Sequence, residues 1–575
     1  MVAQVSCEAT IDLITLLLCI LLVLSRWRQL TPFSTTYNHQ CSSNSLLYRF
    51  SQAHTLYNAV FVRKPNEENW SEKAFQLQQM YWSGEDNSAT STFSYEEQKQ
   101  LTLELKTQLQ SIRDRFRTET KQVDTLVCQF REEEINDHIR EEFYERMEGI
   151  SLKCSGEMRK FAGKIIQKSV GIVSGQPPSE FSAVVLGSLA RGEATPFSDL
   201  EYLFLVKEKT PDVSGYYVKL AVTTYFVIGN LGETKLSYMA FKELQNWFDD
   251  RAKYGFKIDG LKREAGNIPT GNDSVDDKCN HFIVTPQELA KKYKQVYQNP
   301  DPEESLRGDL SAMLSYTKEI YTHSPRGEDM LNQLRTLMGS VTTNQKRAHA
   351  NMMMLKTDAE KFKFAPDSTL NERGLTVSVK KELYRFPSIL LLDICLVVGC
   401  IEQSSWHSLR KLIEAGTISI DIGSRLKFLL GSATFIRLSA YLYHDSQDDR
   451  MSLAPQYLDS CKNTEQQSTE SIASRRWVAP SSLIPHVWLF MTPLQTYLAS
   501  WSFEPTELKD IAFGDSSQWL TSVIANYYCE KYFVVLSSLK KNYPAIYEQP
   551  VDTASEIFHK FGHPFYTILA DVLVK

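Results

Sequence analysis

The chain has 575 residues, 42% hydrophobic and 23% charged, with a formal net charge of −6. That is the composition of an ordinary globular protein, long enough for about three or four domains; the acidic balance gives no support for a general nucleic-acid binder, although it leaves room for a local basic groove. The 10 cysteines are scattered from Cys7 to Cys529 with no CxxC pair and no His at ligand spacing, which reads as a reduced, intracellular chain rather than a zinc or disulfide framework.

An apolar run at 13–24 follows Glu8 and Asp12 and precedes Arg26, Trp27 and Arg28. It is shorter than the roughly 18–20 residues a spanning helix needs, and no Lys or Arg precedes it as in a signal peptide. Two readings stay open: a membrane tether that holds the rest of the chain on the cytoplasmic side, and a buried or partner-binding helix. Residues 38–91 give no assignment beyond scattered helix. The stretch 95–149 is rich in Glu, Gln, Lys and Arg and lacks proline; with Leu101, Leu103, Leu105, Leu109, Ile112 and Phe116 it predicts long helices. The acid runs Glu132-Glu133-Glu134 and Glu141-Glu142 read as solvated helix faces in preference to a site for metal or a basic partner. A further amphipathic helix over 158–173 is stopped by Gly175-Gln176-Pro177-Pro178.

The stretch 181–206, FSAVVLGSLARGEATPFSDLEYLFLV, organises the rest. Val184, Val185 and Leu186 run as a strand into Gly187-Ser188, and a polar segment closes on Asp199-Leu200-Glu201 at the head of the strand 202–206. Strand side chains alternate, so Asp199 and Glu201 point one way and Leu200 and Tyr202 the other. Two adjacent carboxylates repel unless a cation lies between them, and Mg²⁺ (or Mn²⁺) takes oxygen ligands from one or two carboxylates and from substrate phosphates. Glycine allows close approach of the backbone to a ligand, and free N–H groups at a helix start favour an anion, with the Ser188 hydroxyl as a further donor.

On these residues the chain resembles the nucleotidyltransferase superfamily, whose pattern is a Gly-Ser turn followed by Asp-x-Asp or Asp-x-Glu. Within it, GSLARGEATPFSDLE is similar to the N-terminal domain of protein-PII uridylyltransferases and of the related glutamine-synthetase adenylyltransferases, which adds Arg191, Glu193, Thr195 and Ser198 to the matched positions. The second acid is Glu201, where the uridylyltransferases usually have Asp, and its longer arm moves a bound ion by about one bond.

A helix follows through Tyr217, Leu220, Ala221, Thr224, Val227 and Ile228 and ends at Asn230-Leu231-Gly232. Residues 255–259 alternate as a short strand, Phe256 and Ile258 against Lys257 and Asp259. Two-metal phosphoryl transfer commonly needs a third carboxylate. Asp259 is the candidate, a plain strand-end turn residue being the alternative; Asp249 and Asp250, at a helix end, are poorer ones. The segment also resembles the family's third motif, with Lys262, Arg263, Gly266 and Pro269 in its basic tail.

From 286 to 339 the chain reads as polar and helical, broken at Pro300, Pro302 and Pro325. Three helices are predicted over 380–398, 405–415 and 421–443, with Gly399 and Gly416 in the connections and Ser404 or Ser419 as caps. They resemble the helical accessory domain of this group, with Lys380, Lys381 and Arg385 at its basic positions; a solvated helix end is an equal reading for these three. Residues 456–476 read as a linker, and 477–575 as aromatic-rich helix.

The expected fold class is α+β, a small mixed-sheet core embedded between mainly α-helical regions: 1–40 leader, 41–150 helical region, 151–300 core, 301–460 helical accessory domain and 461–575 C-terminal helical region. The resemblance implies transfer of a nucleoside monophosphate from an NTP to a hydroxyl of a protein or small molecule, with pyrophosphate released. Asp199, Glu201 and Asp259 would bind metal and act in catalysis; Gly187, Ser188, Arg191, Glu193, Ser198 and Lys262 would hold the nucleotide. The competing expectation is a catalytically silent nucleotide-sensing or protein-docking module. Either would sit in the cytoplasm, free or membrane-associated through 13–24.

Overall fold

The computed structural model describes residues 54, 57–58, 69–83, 93–127, 137–173, 175–234, 255–258, 283–298, 316–323, 327–339, 351, 353–358, 361–362, 376–452, 477–478, 483–484, 487 and 491. The 13–24 run, Asp259, Lys262 and everything after 491 lie outside the described residues.

Three helices come first: α1 (Asn69–Ser83), α2 (Tyr95–Val127) and α3 (Asp137–Ile172). A capping box starts α2, the Glu97 N–H donating to Ser94 Oγ at 3.2 Å and the Ser94 N–H to Glu97 Oε2 at 2.7 Å. Leu105, Leu109, Ile112 and Phe116 recur at helical spacing and are buried, whereas Leu103, off that stripe, is 67% exposed. The helix expected over 158–173 is the second half of α3, so the boundary drawn at 150/151 falls inside one continuous helix.

The chain then builds a four-stranded mixed sheet from β1 (Phe181–Val185), β2 (Tyr202–Val206), β3 (Ile283–Val284) and β4 (Lys318–Thr322), in the order β3-β2-β1-β4. β1 runs antiparallel to β2 and to β4, and β2 parallel to β3. Between β1 and β2 lies the short α4 (Gly187–Arg191). After β2 comes α5 (Pro211–Gly229), started by Thr210 with Pro211 in its first turn. α6 (Pro286–Gln298) follows β3 and α7 (Gly327–Gly339) follows β4. Both faces of the sheet are covered, which is why β1 and β2 read as near-continuous apolar runs. Ala183, Val185, Tyr202, Phe204 and Val206 join the main core; Val184, Leu203 and Leu205 form a second one with Leu289, Tyr293, Met330, Leu331 and Leu334 of α6 and α7.

The strand β4 falls where only polar helix was expected. All five of its residues are partly exposed, so KEIYT carries little apolar signal of its own. It is held by pairing and by α3, whose Gly163 lies so close that a Cβ there would stand 2.2 Å from the Ile320 carbonyl oxygen.

A small second sheet orders β5 (Thr376–Ser378), β6 (Arg450–Ser452) and β7 (Trp477–Val478). From β5 the chain enters a π-helical turn (Val379–Tyr384) and then α8 (Arg385–Val398), α9 (Ser405–Glu414) and α10 (Ile420–His444). Gly399 and Gly416 take the left-handed conformation in the connections. Ser404 and Ser419 accept from the N–H groups of His407 and Ile422, both at 3.3 Å. α10 packs against α3 and the π-helical turn, and one apolar cluster runs from Phe75 of α1 to Met491. The molecule is thus mostly helical with a small mixed sheet, an α+β protein. Among the described residues no helix is long and apolar enough to cross a membrane.

Candidate functional site

At the end of β1 the Leu186 N–H donates to the Glu201 carbonyl at 2.9 Å, carrying the β1–β2 ladder one step past the strand. Gly187 then turns the backbone with φ at 60°, in the left-handed region. A Cβ on Gly187 would stand 1.8 Å from Glu201 Oε2, so the carboxylate of Glu201 lies directly on the Gly187-Ser188 turn. Asp199 and Glu201 are half-buried while Leu200 and Tyr202 are buried, the alternation the strand pattern demands.

The loop delivering Asp199 is fixed from three directions. The Gly192 carbonyl accepts from Ser151 Oγ at 2.8 Å and from Trp406 Nε1 at 2.9 Å, and the Ala194 N–H donates to Ser155 Oγ at 2.9 Å. The Thr195 N–H donates to Ser198 Oγ at 2.9 Å, closing a local turn. Arg113 of α2 donates to the Pro196 carbonyl at 3.4 Å, and its guanidinium lies 4.1 Å from the centre of the Phe197 ring. The same guanidinium makes a two-pronged pair with Glu233 at 2.6 and 2.7 Å, and Glu233 Oε2 accepts from the Phe256 N–H at 2.8 Å. Arg113 and Glu233 therefore clamp the 196–197 loop to the 255–258 segment.

That segment runs parallel to the chain at Leu200, through a Leu200–Ile258 bridge and the Leu200 N–H donating to the Lys257 carbonyl at 2.7 Å. Its neighbour is Leu200, just ahead of β2; the strand beside Tyr202–Val206 is β3. Phe256 and Ile258 enter the core, and Lys257 faces outward to the carboxylate side, its Nζ 3.6 Å from Asp199 Oδ1. A second ammonium, Lys380 of the π-helical turn, lies 3.7 Å from Asp199 Oδ2. Both separations exceed hydrogen-bond length and act as charge contacts. Asp199 Oδ1 is buried with no hydrogen-bond partner, which leaves a carboxylate oxygen able to accept a harder ligand. Among the described residues no group of three His, Cys, Asp or Glu could hold a metal ion; the two carboxylates fit a divalent ion only if phosphate oxygens or a further acid complete its shell.

The other expected residues divide. Ser188 is half-buried, its carbonyl accepting from the Glu193 N–H at 3.0 Å. Arg191 Nε lies 3.5 Å from Glu193 Oε2. Burial opposes its charge, but Glu193, Tyr384 and Glu201 outweigh burial and hold the guanidinium above its ordinary value. Glu193 is fully buried: besides Arg191 it accepts from Tyr384 Oη at 2.6 Å and from the hydroxyls of Ser388 and Ser405. Ser198, also buried, faces Arg437 Nη2 at 3.4 Å. Glu193 and Ser198 therefore join the loop to α8, α9 and α10, and neither side chain faces open space. The structure brings together Gly187, Ser188, Arg191, Asp199 and Glu201, and adds Lys257 and Lys380.

No protein-family model matches the chain, and no curated protein is detectably similar to it.

Proposed function

We infer that the chain is a Mg²⁺-dependent nucleotidyltransferase. The reading rests on one juxtaposition: the Glu201 carboxylate lying against the Gly187 backbone, with Asp199 beside it facing two lysines from separate elements. In this reading the Gly187-Ser188 turn holds the phosphates of an NTP, and Arg191 supports the turn and the Glu201 charge. Asp199 and Glu201, with Asp259 as third acid, would hold Mg²⁺ (or Mn²⁺), which would supply neutralisation of developing charge and activation of the acceptor oxygen. An acceptor hydroxyl, on a protein or small molecule, would pass its proton to the third carboxylate, Asp259, as its oxygen bonds the α-phosphorus; the bond from α-phosphorus to the bridging oxygen breaks and pyrophosphate leaves. Lys257 and Lys380 neutralise Asp199 before loading and are drawn to the β- and γ-phosphates after it.

The same lysines favour a second reading. A carboxylate already paired with two ammonium groups has less need of a metal, as in a silent module that binds nucleotide without turning it over. Calorimetric titration with each NTP, with and without Mg²⁺, followed by a pyrophosphate-release assay, separates the two. The transferase reading expects metal-dependent binding and pyrophosphate release that Asp199→Asn lowers on the order of 10²-fold or more. Binding unaffected by chelation, with no pyrophosphate formed across candidate acceptors, would establish the module instead.

A further inference from the structure

The segment that brings Lys257 to Asp199 is short for that task. Among the described residues it meets the sheet through one isolated bridge, Leu200 to Ile258, with the Leu200 N–H donating to the Lys257 carbonyl beside it. One bridge fixes a register weakly, and a slip of one residue turns every side chain to the opposite face. Such a slip would take Lys257 from the Asp199 side and bring Phe256 or Ile258 there in its place, so another contact must hold the register.

That contact comes from Glu233, just past the end of α5. Its carbonyl accepts from the Gly255 N–H at 3.4 Å and its Oε2 from the Phe256 N–H at 2.8 Å, so backbone and carboxylate together grip the residues ahead of Lys257. The approach is so close that a Cβ on Gly255 would stand 2.1 Å from Glu233 Oε2. Glu233 is itself oriented by the Arg113 fork, and the pair is removed from water, its side chains 6% and 17% exposed. Arg113 also holds the Pro196 carbonyl and the Phe197 ring, just ahead of Asp199. A guanidinium whose buried Nε has no partner is a costly way to fill space. As a link it does what an apolar side chain cannot, because it bonds the Asp199 loop and the acid that grips the segment at once.

We propose that Arg113 and Glu233 are positioning residues for the Asp199 site: they set the register of the 255–258 segment against Leu200, and through it the place of Lys257 beside Asp199. Phe256 backs this register from the core side, its ring 5.3 Å from that of Phe161 on α3. Because Lys257 serves phosphates only if an NTP occupies this face, the role of the clamp rests on that reading.

The test is calorimetric titration of the full chain with Mg²⁺ and inorganic triphosphate, a probe that needs no base, with urea denaturation of each variant. Arg113→Met and Glu233→Met are made together, because replacing both members of a buried pair by apolar side chains spares the stability that removing one would cost. This paired variant should keep the urea midpoint of wild type yet bind triphosphate about tenfold more weakly, as Lys257→Met alone should. Added to the paired variant, Lys257→Met should weaken binding by less than about twofold more, since the two changes act along one path. Gly255→Ala, which displaces the Glu233 carboxylate from the Phe256 N–H, should give the same loss, and it decides the matter if the paired variant does not fold. A folded clamp variant or a Lys257→Met that binds as tightly as wild type, or losses that simply add, would overturn the positioning role and leave the nucleotide reading in place. Wild type that binds no triphosphate with Mg²⁺ ends both.

Discussion

Gly187 carries two demands at once, and replacing it separates them from every other feature of the site. Its φ of 60° is strained for any residue with a Cβ, costing about 1–2 kcal/mol, and the added carbon would stand 1.8 Å from Glu201 Oε2. Gly187→Ala is expected to lower stability by that amount in urea denaturation and to abolish NTP binding, because Glu201 must leave the turn. A variant that loses stability yet keeps its affinity would show that the contact is structural alone. Lys380 makes a different test. With its charge removed, Asp199 is less neutralised, so Lys380→Met is expected to bind Mn²⁺ alone about threefold more tightly. The same variant should bind Mg²⁺–ATP more weakly, since a phosphate contact is lost. Changes of the same sign in both titrations would refute the exchange of Lys380 between Asp199 and phosphate.

At the scale of elements, helices α2, α5, α8, α9 and α10 were legible because their apolar spacing and caps are local, as with Ser404 and Ser419. The parity of Asp199 and Glu201 was legible for the same reason. β4 was not, because its five half-exposed residues are held by a register with β1 across some 140 positions of chain. Nor could spacing reveal that Arg113 pairs with Glu233, or that Glu193 is a buried anchor, since such partners leave no periodic trace. The polar knot at the end of α5 is another long-range product. Fully buried, His54 Nε2 lies 3.0 Å from Asn230 Oδ1 and 2.7 Å from Gln78 Nε2 of α1. Burial, against the Asn230 bond, lowers the His54 pKa from 6.5 to about 3. The unfolded chain therefore binds the proton more readily than the folded one between these values. Stability should be complete above about pH 6.5 and fall as the pH drops toward 3, by up to about 1.4 kcal/mol per unit from this group. His54→Gln should flatten that part of the slope in urea titrations at pH 7, 6 and 5; an unchanged slope would mean that His54 does not stay neutral in the folded protein.

At the scale of the whole molecule, the sheet and the helices of the second half share one apolar cluster, and Glu193 is the polar rivet through it. Its carboxylate takes Tyr384 from the π-helical turn, Ser388 from α8, Ser405 from α9 and Arg191 from α4. A buried charge held by four donors need not stabilise more than an apolar contact would, but removing it strands every partner. Glu193→Ala leaves three hydroxyls and a guanidinium inside the core without their acceptor, at a cost of about 3–5 kcal/mol. Glu193→Gln keeps the shape and one acceptor oxygen and should cost less. Because the apolar cluster is continuous from Phe75 to Met491, the loss should appear as one unfolding transition with a lower midpoint, identical by tryptophan fluorescence and far-ultraviolet circular dichroism. Tyr384 shares the π-helical turn with Lys380, so loosening the rivet should also weaken NTP binding, although Glu193 itself faces no ligand. If Glu193→Ala instead unfolds in two separated steps, the helices and the sheet are independent units joined at this residue, and Lys380 reaches Asp199 only while the rivet holds.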